Sequence, residues 1–370
     1  MRLSTLPKNL KLKGKRVLIR LDLNEPIEKG MVVNDFRIRR ALPTLQFLVK
    51  NGARVVVLSH REKPEDTIKV AVLHLNKFIK AGFVPDVCGS VAEESIKRMA
   101  DGSILVLENL RREKGEEKNE LSFAKKLARF GDIYINEAFS VSHRKHASIV
   151  SVPKLLPSFA GFLFAEEVSN LSRAIKPKQP LLMVVSGAKS ETKLPLIKKY
   201  LPKASNIFVG GALANSFFKE EGYEIGKSLA DKNTKALSPL LKNKKVFLPV
   251  DVVVRSGEVK WADEVLKNEY IVDNGPESLF ILENMIDKSK TVIVNGPLGV
   301  YQDGFGAGTE KLLKILAKAK CETIIGGGDT SALVSKLKLE KKFSFVSTGG
   351  GAMLDFLINE TLPGIKALTR

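Results

Sequence analysis

A chain of 370 residues is longer than one hydrophobic core usually serves, so two domains are predicted and a single small binding module is excluded. Apolar residues at 44% and charged residues at 27% are the proportions of an ordinary globular protein and exclude a disordered one. A net charge of +19 points to nucleic acid or phosphorylated metabolites, although lysines such as Lys242, Lys244 and Lys245 are equally readable as solvated surface.

No apolar run approaches the ~18 residues needed to span a bilayer, and the basic start leads into no secretory signal, so the chain is read as cytosolic. Cys88 and Cys321 are the only cysteines; they lie far apart, which supports neither a disulfide framework nor a zinc site. In chain order, β-branched runs at 16–22, 54–58, 103–107 and 132–135 are each followed by a helix-like segment, the alternation of parallel βαβ units. A helix is predicted over 159–175, with Glu166 and Glu167 early and Lys176-Pro177 as its stop. The style resumes at 181–185, 206–209, 245–248, 291–294, 323–325 and 343–346, runs apolar enough to be covered on both faces. The expected architecture is α/β: two doubly wound, Rossmann-like parallel-sheet lobes over 1–158 and 177–357, joined by an interdomain helix at 159–176 and a hinge.

Open parallel sheets bind ligands beyond the carboxyl ends of their strands. In the first half those ends carry Asp22 and Asn24, Ser59-His60, Glu108-Asn109-Leu110-Arg111 and Asn136-Glu137, with His143-Arg144-Lys145-His146 further on. Arginine forks grip phosphate while Asp and Asn orient hydroxyls, so this set suits a small anion. In the second half the ends are glycine-rich: Gly187-Ala188-Lys189, Gly210-Gly211, Asn295-Gly296-Pro297, Gly326-Gly327-Gly328-Asp329-Thr330 and Gly349-Gly350. Glycine lets backbone amides approach phosphates closely, and a following helix adds a favourable dipole. The Gly222 to Ser228 segment is one residue short between its glycines for a P-loop and is read as a loop.

With these motifs in place, the chain resembles the phosphoglycerate kinase family over nearly its whole length. The resemblance rests on ordered segments, among them Arg20-Leu21-Asp22-Leu23-Asn24, Arg37-Ile38-Arg39-Arg40, Gly187-Ala188-Lys189, Asn295-Gly296-Pro297-Leu298-Gly299 and Gly326-Gly327-Gly328-Asp329-Thr330. It implies reversible phosphoryl transfer between ATP and the carboxylate of 3-phosphoglycerate, in glycolysis and gluconeogenesis, by a monomer. The first lobe would hold 3-phosphoglycerate, the second the magnesium nucleotide, and the tail 358–370 would pack back on the first lobe.

By the same resemblance Asp22, Asn24, Arg37, His60, Lys63, Arg111 and Arg144 would bind substrate, and Arg37 and Lys189 would flank the transferred group. Lys193, Gly210, Gly211, Asn295, Pro297, Gln302, Gly326, Gly327, Gly328, Thr330, Gly349 and Gly350 would join Lys189 at the nucleotide, with Asp329 at the magnesium ion. The chain departs from the family pattern at Lys63, which replaces an arginine, at Gln302, which replaces a glutamate, and at Glu25, which stands at a usually apolar position. A kinase for another small phosphorylated acid is the rival enzyme reading; a basic nucleic-acid-binding protein on a kinase scaffold is the non-enzymatic one.

Overall fold

The computed structural model describes residues 3–187 and 190–369. The chain divides into two units, the first made of 1–170 and 359–370 and the second of 171–358, with the boundary inside the helix Phe162–Ile175. Among the described residues no helix is long and apolar enough to cross a membrane.

The first unit is built on a six-stranded parallel sheet in the spatial order Gly82–Val84, Ile104–Leu107, Arg54–Leu58, Arg16–Arg20, Ile133–Asn136, Ser158–Ala160. Its four central strands are largely apolar and buried on both faces and are closed by polar residues, which suits a sheet sandwiched between helices. Val17, Ile19, Val55, Val57 and Ile135 are fully buried and pack with Ile38, Leu45 and Leu48 of the helix Phe36–Lys50. The first strand, Arg16–Arg20, lies in the middle, with Leu58 and Asn136 on either side of Arg20. The order of connections reverses there, which opens a crevice beyond the strand ends.

The second unit repeats the plan. Its parallel sheet runs Val246–Phe247, Asn206–Gly210, Leu181–Ser186, Thr291–Asn295, Glu322–Gly326, Phe345–Val346, and again the first strand of the unit is central. Its carboxyl end is level with those of its neighbours, Ser186 beside Gly210 and Val185 beside Asn295. An antiparallel sheet of Asp251–Val254, Val259–Trp261 and Ile271–Asn274 is added to this unit; the sequence reading did not foresee it. The strands Gly82–Val84 and Ser158–Ala160 were likewise not foreseen, being three residues long with little apolar signal.

The tail groups with the first unit. Ser4 N donates to Leu368 O at 3.1 Å and Gly364 N to Ser142 O at 2.9 Å, while Leu362, Ile365 and Leu368 are buried. The helix Phe162–Ile175 begins three residues later than the sequence suggested, because its first amides are capped by a distant carboxylate. Glu137 accepts from Leu163 N at 3.1 Å and Phe164 N at 3.2 Å, and also from the Thr44 hydroxyl. Burial pushes the Glu137 carboxyl up to about 7 although these bonds pull it down.

A methyl group at Gly161 would overlap the Glu137 carboxylate, which is only 2% exposed and has no room to retreat. Gly161→Ala should therefore destabilise the first unit by about 2 kcal/mol, the usual cost of overpacking a tight site. Urea unfolding curves would check it, and a midpoint equal to that of the parent would refute it.

Candidate active site

At the first unit's crevice the sequence places a buried arginine, Arg20, at the last residue of the central strand. Its side chain is fully buried and donates from Nε to Ser148 Oγ at 2.9 Å, and from its terminal nitrogens to Leu21 O at 2.5 Å and His60 Nδ1 at 3.3 Å. A guanidinium can only donate, so His60 Nδ1 must be the unprotonated nitrogen and the ring's proton sits on Nε2. Burial first, and then Arg20, hold His60 well below its ordinary value, with Asp22 opposing and Arg111 and Arg144 adding to the depression. His60 is therefore a neutral donor at pH 7.

The fold brings Asp22 within the field of this ring and joins Asn24 and Arg37 to Asp22. Arg37 lies in the first turn of the helix Phe36–Lys50, with Nε 3.5 Å from Asp22 and a terminal nitrogen donating to Asn24 O at 2.9 Å. Burial is the largest single influence and pushes the Asp22 carboxyl up, but its neighbours, Arg37 foremost, with bonds from Ser140 Oγ and Asn24 N, together outweigh it and hold Asp22 well below the usual carboxylate range. Asp22 raises Arg37 in turn, so both groups are charged. Arg111, 3.1 Å from Glu117, is lowered by burial and then by Arg144, with Glu117 opposing.

Lys63 is exposed, while its backbone is pinned next to Arg111. Asn109 Nδ2 donates to Lys63 O at 2.8 Å and to Asp66 O at 2.9 Å, and Arg111 donates to Glu62 O at 2.6 Å. Arg61 is already engaged, donating to Glu25 O at 2.6 Å. Sequence reasoning missed Arg20 as a functional group. Its only signal was an arginine ending an otherwise apolar central strand, where burial demands a partner network.

In the second unit Lys193 is the central cation. It is 8% exposed, on the helix Ser190–Tyr200, and its ammonium donates to Asn295 Oδ1. No carboxylate lies within ion-pair distance among the described residues, and burial alone lowers its pKa from the ordinary 10.5 to about 8. Around it, Ser186 Oγ, Asn295 Nδ2 and Thr330 Oγ1 are buried with no hydrogen-bond partner among the described residues. Buried polar atoms are nearly always satisfied, so a group of orphans beside an uncompensated ammonium marks a place built for a polar anionic ligand. Lys189 lies outside the described residues.

The glycine turns shape this place. Gly327, at φ +107°, precedes the helix Gly328–Lys336, whose first turn holds Asp329, half-buried, and Thr330, buried. A side chain there would be strained and would press on the Gly296 amide. Gly326 ends its strand beside Asn295. Gly210 ends another, and Gly211 begins the helix Gly211–Glu221. Gly349 donates from N to Ser347 Oγ at 2.9 Å, and Gly350 precedes the helix Gly351–Asn359.

A cavity of about 230 Å³ adjoins these turns, lined by Gly211, Phe218, Val252, Pro297, Gln302 and Asp329 among others. Gln302 is exposed at its rim, in a short turn. The antiparallel sheet supplies the apolar wall through Val252 and Val272. The Gly222 to Ser228 segment is a loop after the helix Gly211–Glu221, with Gly222 as a left-handed C-cap.

The phosphoglycerate kinase family pattern matches residues 8–360. Among curated proteins, the chain is 39% identical to the phosphoglycerate kinase of Coprothermobacter proteolyticus and 37% identical to that of Pelotomaculum thermopropionicum, with 98% of each chain covered in both cases. Among solved structures it resembles phosphoglycerate kinase from Coxiella burnetii, with a TM-score of 0.81, 37% identity and 99% of each chain covered. It also resembles that from Pyrococcus horikoshii OT3, with a TM-score of 0.87, 29% identity and 98% coverage of each.

Proposed function

Because the chain belongs to the phosphoglycerate kinase family, we propose that the Arg20 to Arg144 cluster of the first unit receives 3-phosphoglycerate and the Lys193 turns of the second receive the nucleotide phosphates. The activity itself is that of a phosphotransferase of glycolysis, moving a phosphoryl group reversibly between ATP and the substrate carboxylate. The observation that carries the assignment of sites is the excess of positive groups at the strand ends of each unit. In the first, Arg20, Arg111 and Arg144 all bear on His60; in the second, a buried lysine has no carboxylate within ion-pair distance among the described residues.

The chemistry asks little of a general base. A substrate carboxylate is ionised well below pH 7 and attacks as it stands. What the step needs is alignment and neutralisation of charge on the passing phosphoryl oxygens. Arg37, held charged by Asp22, supplies a fork for that purpose, and neutral His60 donates from Nε2 to the substrate. Lys189 is proposed as the second cation at the transferred group. Lys193, the amides at Gly327 and Gly328, and Thr330 hold the inner phosphates, while Pro297 and Gln302 border the nucleoside. Gly210, Gly211, Gly326, Gly349 and Gly350 leave the backbone room to approach.

Asp329 is the magnesium residue in this reading. Among the described residues no three metal-binding side chains cluster together, which fits a cation that arrives on nucleotide phosphates and keeps most of its own waters. Bound there, magnesium would neutralise charge on the phosphate oxygens. The proposed state is a monomer of the cytoplasm.

A substrate panel tests the assignment, because Lys63 offers a point charge in place of a fork and Arg61 is committed to Glu25 O. The purified protein should turn over 3-phosphoglycerate with magnesium and ATP at least tenfold faster, by kcat/KM, than other small phosphorylated acids. A better rate with another phosphorylated acid would transfer the assignment to that substrate.

A further inference from the structure

Every amide at the start of the helix Phe36–Lys50 has a partner, and two of those partners are one atom. Phe36 N donates to Asn34 Oδ1 at 2.9 Å and Arg39 N to Asp35 O at 2.9 Å. Arg37 N and Ile38 N both donate to Glu25 Oε1, at 2.8 Å and 3.2 Å. The residue in the capping position, Asp35, makes no cap bond through its side chain; that side chain is engaged by Arg39 and His74. Glu25 therefore performs the capping from twelve residues away in the chain.

Glu25 also touches the guanidinium it positions. Its Oε2 lies 3.7 Å from a terminal nitrogen of Arg37, its side chain is 2% exposed, and its carbonyl accepts from Arg61 at 2.6 Å. Asp22 and Asn24, on the same loop, hold the other sides of Arg37. A second carboxylate beside a cation intended for phosphoryl oxygens is a cost for electrostatics alone. It is accounted for if its task is geometric.

We propose that Glu25 is a positioning residue for phosphoryl transfer: its carboxylate ties the loop bearing Asp22 and Asn24 to the helix end bearing Arg37 and so fixes the guanidinium relative to bound substrate. The inference rests on Arg37 acting at the transferred group. Charge-assisted bonds are about twice as strong as neutral ones, so the tie is firm when Glu25 is ionised and looser when it is protonated. The charged groups facing it are Arg37, Asp22 and, at its carbonyl, Arg61. Burial, with Asp22 adding, pushes the Glu25 carboxyl up to about 7 against the pull of Arg37, so the tie loosens within the range in which the enzyme can be assayed.

The test uses Glu25→Gln and Glu25→Leu in the full chain, alone and combined with Arg37→Ala, with kcat and both KM values followed from pH 6 to 8.5. Saturated with both substrates, Glu25→Leu should lose on the order of tenfold in kcat, since sub-ångström to ångström misplacement of a reacting group is enough for that. Its KM for ATP should stay within twofold of the parent. The parent's kcat should rise as pH passes through about 7. Glu25→Gln, which keeps an acceptor but no charge, should be flat over that range and close to the parent's value at pH 6.

In the Arg37→Ala background neither Glu25 substitution should lower kcat further. If Arg37→Ala collapses turnover while both Glu25 variants overlay the parent in kcat and pH profile, the positioning role is overturned and the role of Arg37 stands. If Arg37→Ala itself keeps the parent's kcat, the reading of Arg37 fails first. Should Glu25→Leu not fold, the pH profile of Glu25→Gln decides alone: one superimposable on the parent's overturns the proposal.

Discussion

Replacing Arg37 by alanine should lower kcat by on the order of a thousandfold, the scale on which an arginine at a transferring phosphoryl group acts. The physical reason is that negative charge on the equatorial oxygens is met by a guanidinium already charged and already placed. Asp22 raises Arg37 and is itself held ionised, so no proton has to move before the step begins. Arg37→Lys should fall between the two, because it keeps the charge and loses the fork. Alanine also leaves Asp22 and Glu25 without their cation, so a stability loss accompanies the kinetic one. Measuring kcat well below the melting temperature of each variant separates the two effects. A kcat for Arg37→Ala within threefold of the parent would remove Arg37 from the chemistry.

Lys193→Met should weaken nucleotide binding by roughly 10- to 100-fold, the worth of a charged hydrogen bond lost from a buried site. Burial is the sole cause of its lowered pKa and its partner Asn295 Oδ1 is neutral, so the negative charge that would stabilise its ammonium has to come from a ligand. The sign of the pH dependence follows. In the free protein the ammonium loses its proton as pH rises through about 8, whereas phosphate favours the charged form and raises that value again. Nucleotide affinity should therefore fall above pH 8, and binding at pH 8.5 should take up a fraction of a proton. Calorimetry in two buffers of different ionisation enthalpy would read that uptake directly. Lys193→Met should abolish it; unchanged uptake in the variant would assign the proton to another group.

Most of the parallel strands were legible because they are runs of β-branched and aliphatic residues closed by polar ones, as in Arg54–Leu58 and Thr291–Asn295, whereas the three-residue Gly82–Val84 and Ser158–Ala160 are not. The ends of those strands were legible for the same reason, and they carry His60, Asn295 and the glycine turns. The antiparallel sheet was not, since Val259–Trp261 is an exposed edge with a lysine at its centre and reads as loop. Its contribution to the cavity wall through Val252 was hidden with it.

Arg20, Glu116 and Ser148 illustrate a deeper limit. Glu116 accepts from Ser148 Oγ at 2.5 Å, and Ser148 Oγ accepts in turn from Arg20, so a buried arginine and a buried carboxylate are joined through a serine 128 residues from Arg20. Periodicity marks which faces are buried but carries no information on which polar groups meet inside. Glu25 belongs to the same class: the sequence showed a carboxylate at an unusual position, and only the fold shows the two amides it holds. His74, 3.1 Å from Asp35, is another such pairing that periodicity does not mark.

Phosphorus NMR of the purified protein with magnesium, ATP and 3-phosphoglycerate addresses the assignment most directly, because it reports where the phosphoryl group goes. The expected spectrum shows an acyl phosphate growing with ADP in the parent, and no such signal over the same interval in Arg37→Ala. ATP converted only to ADP and inorganic phosphate by the parent, or acyl phosphate formed equally fast by Arg37→Ala, would contradict it.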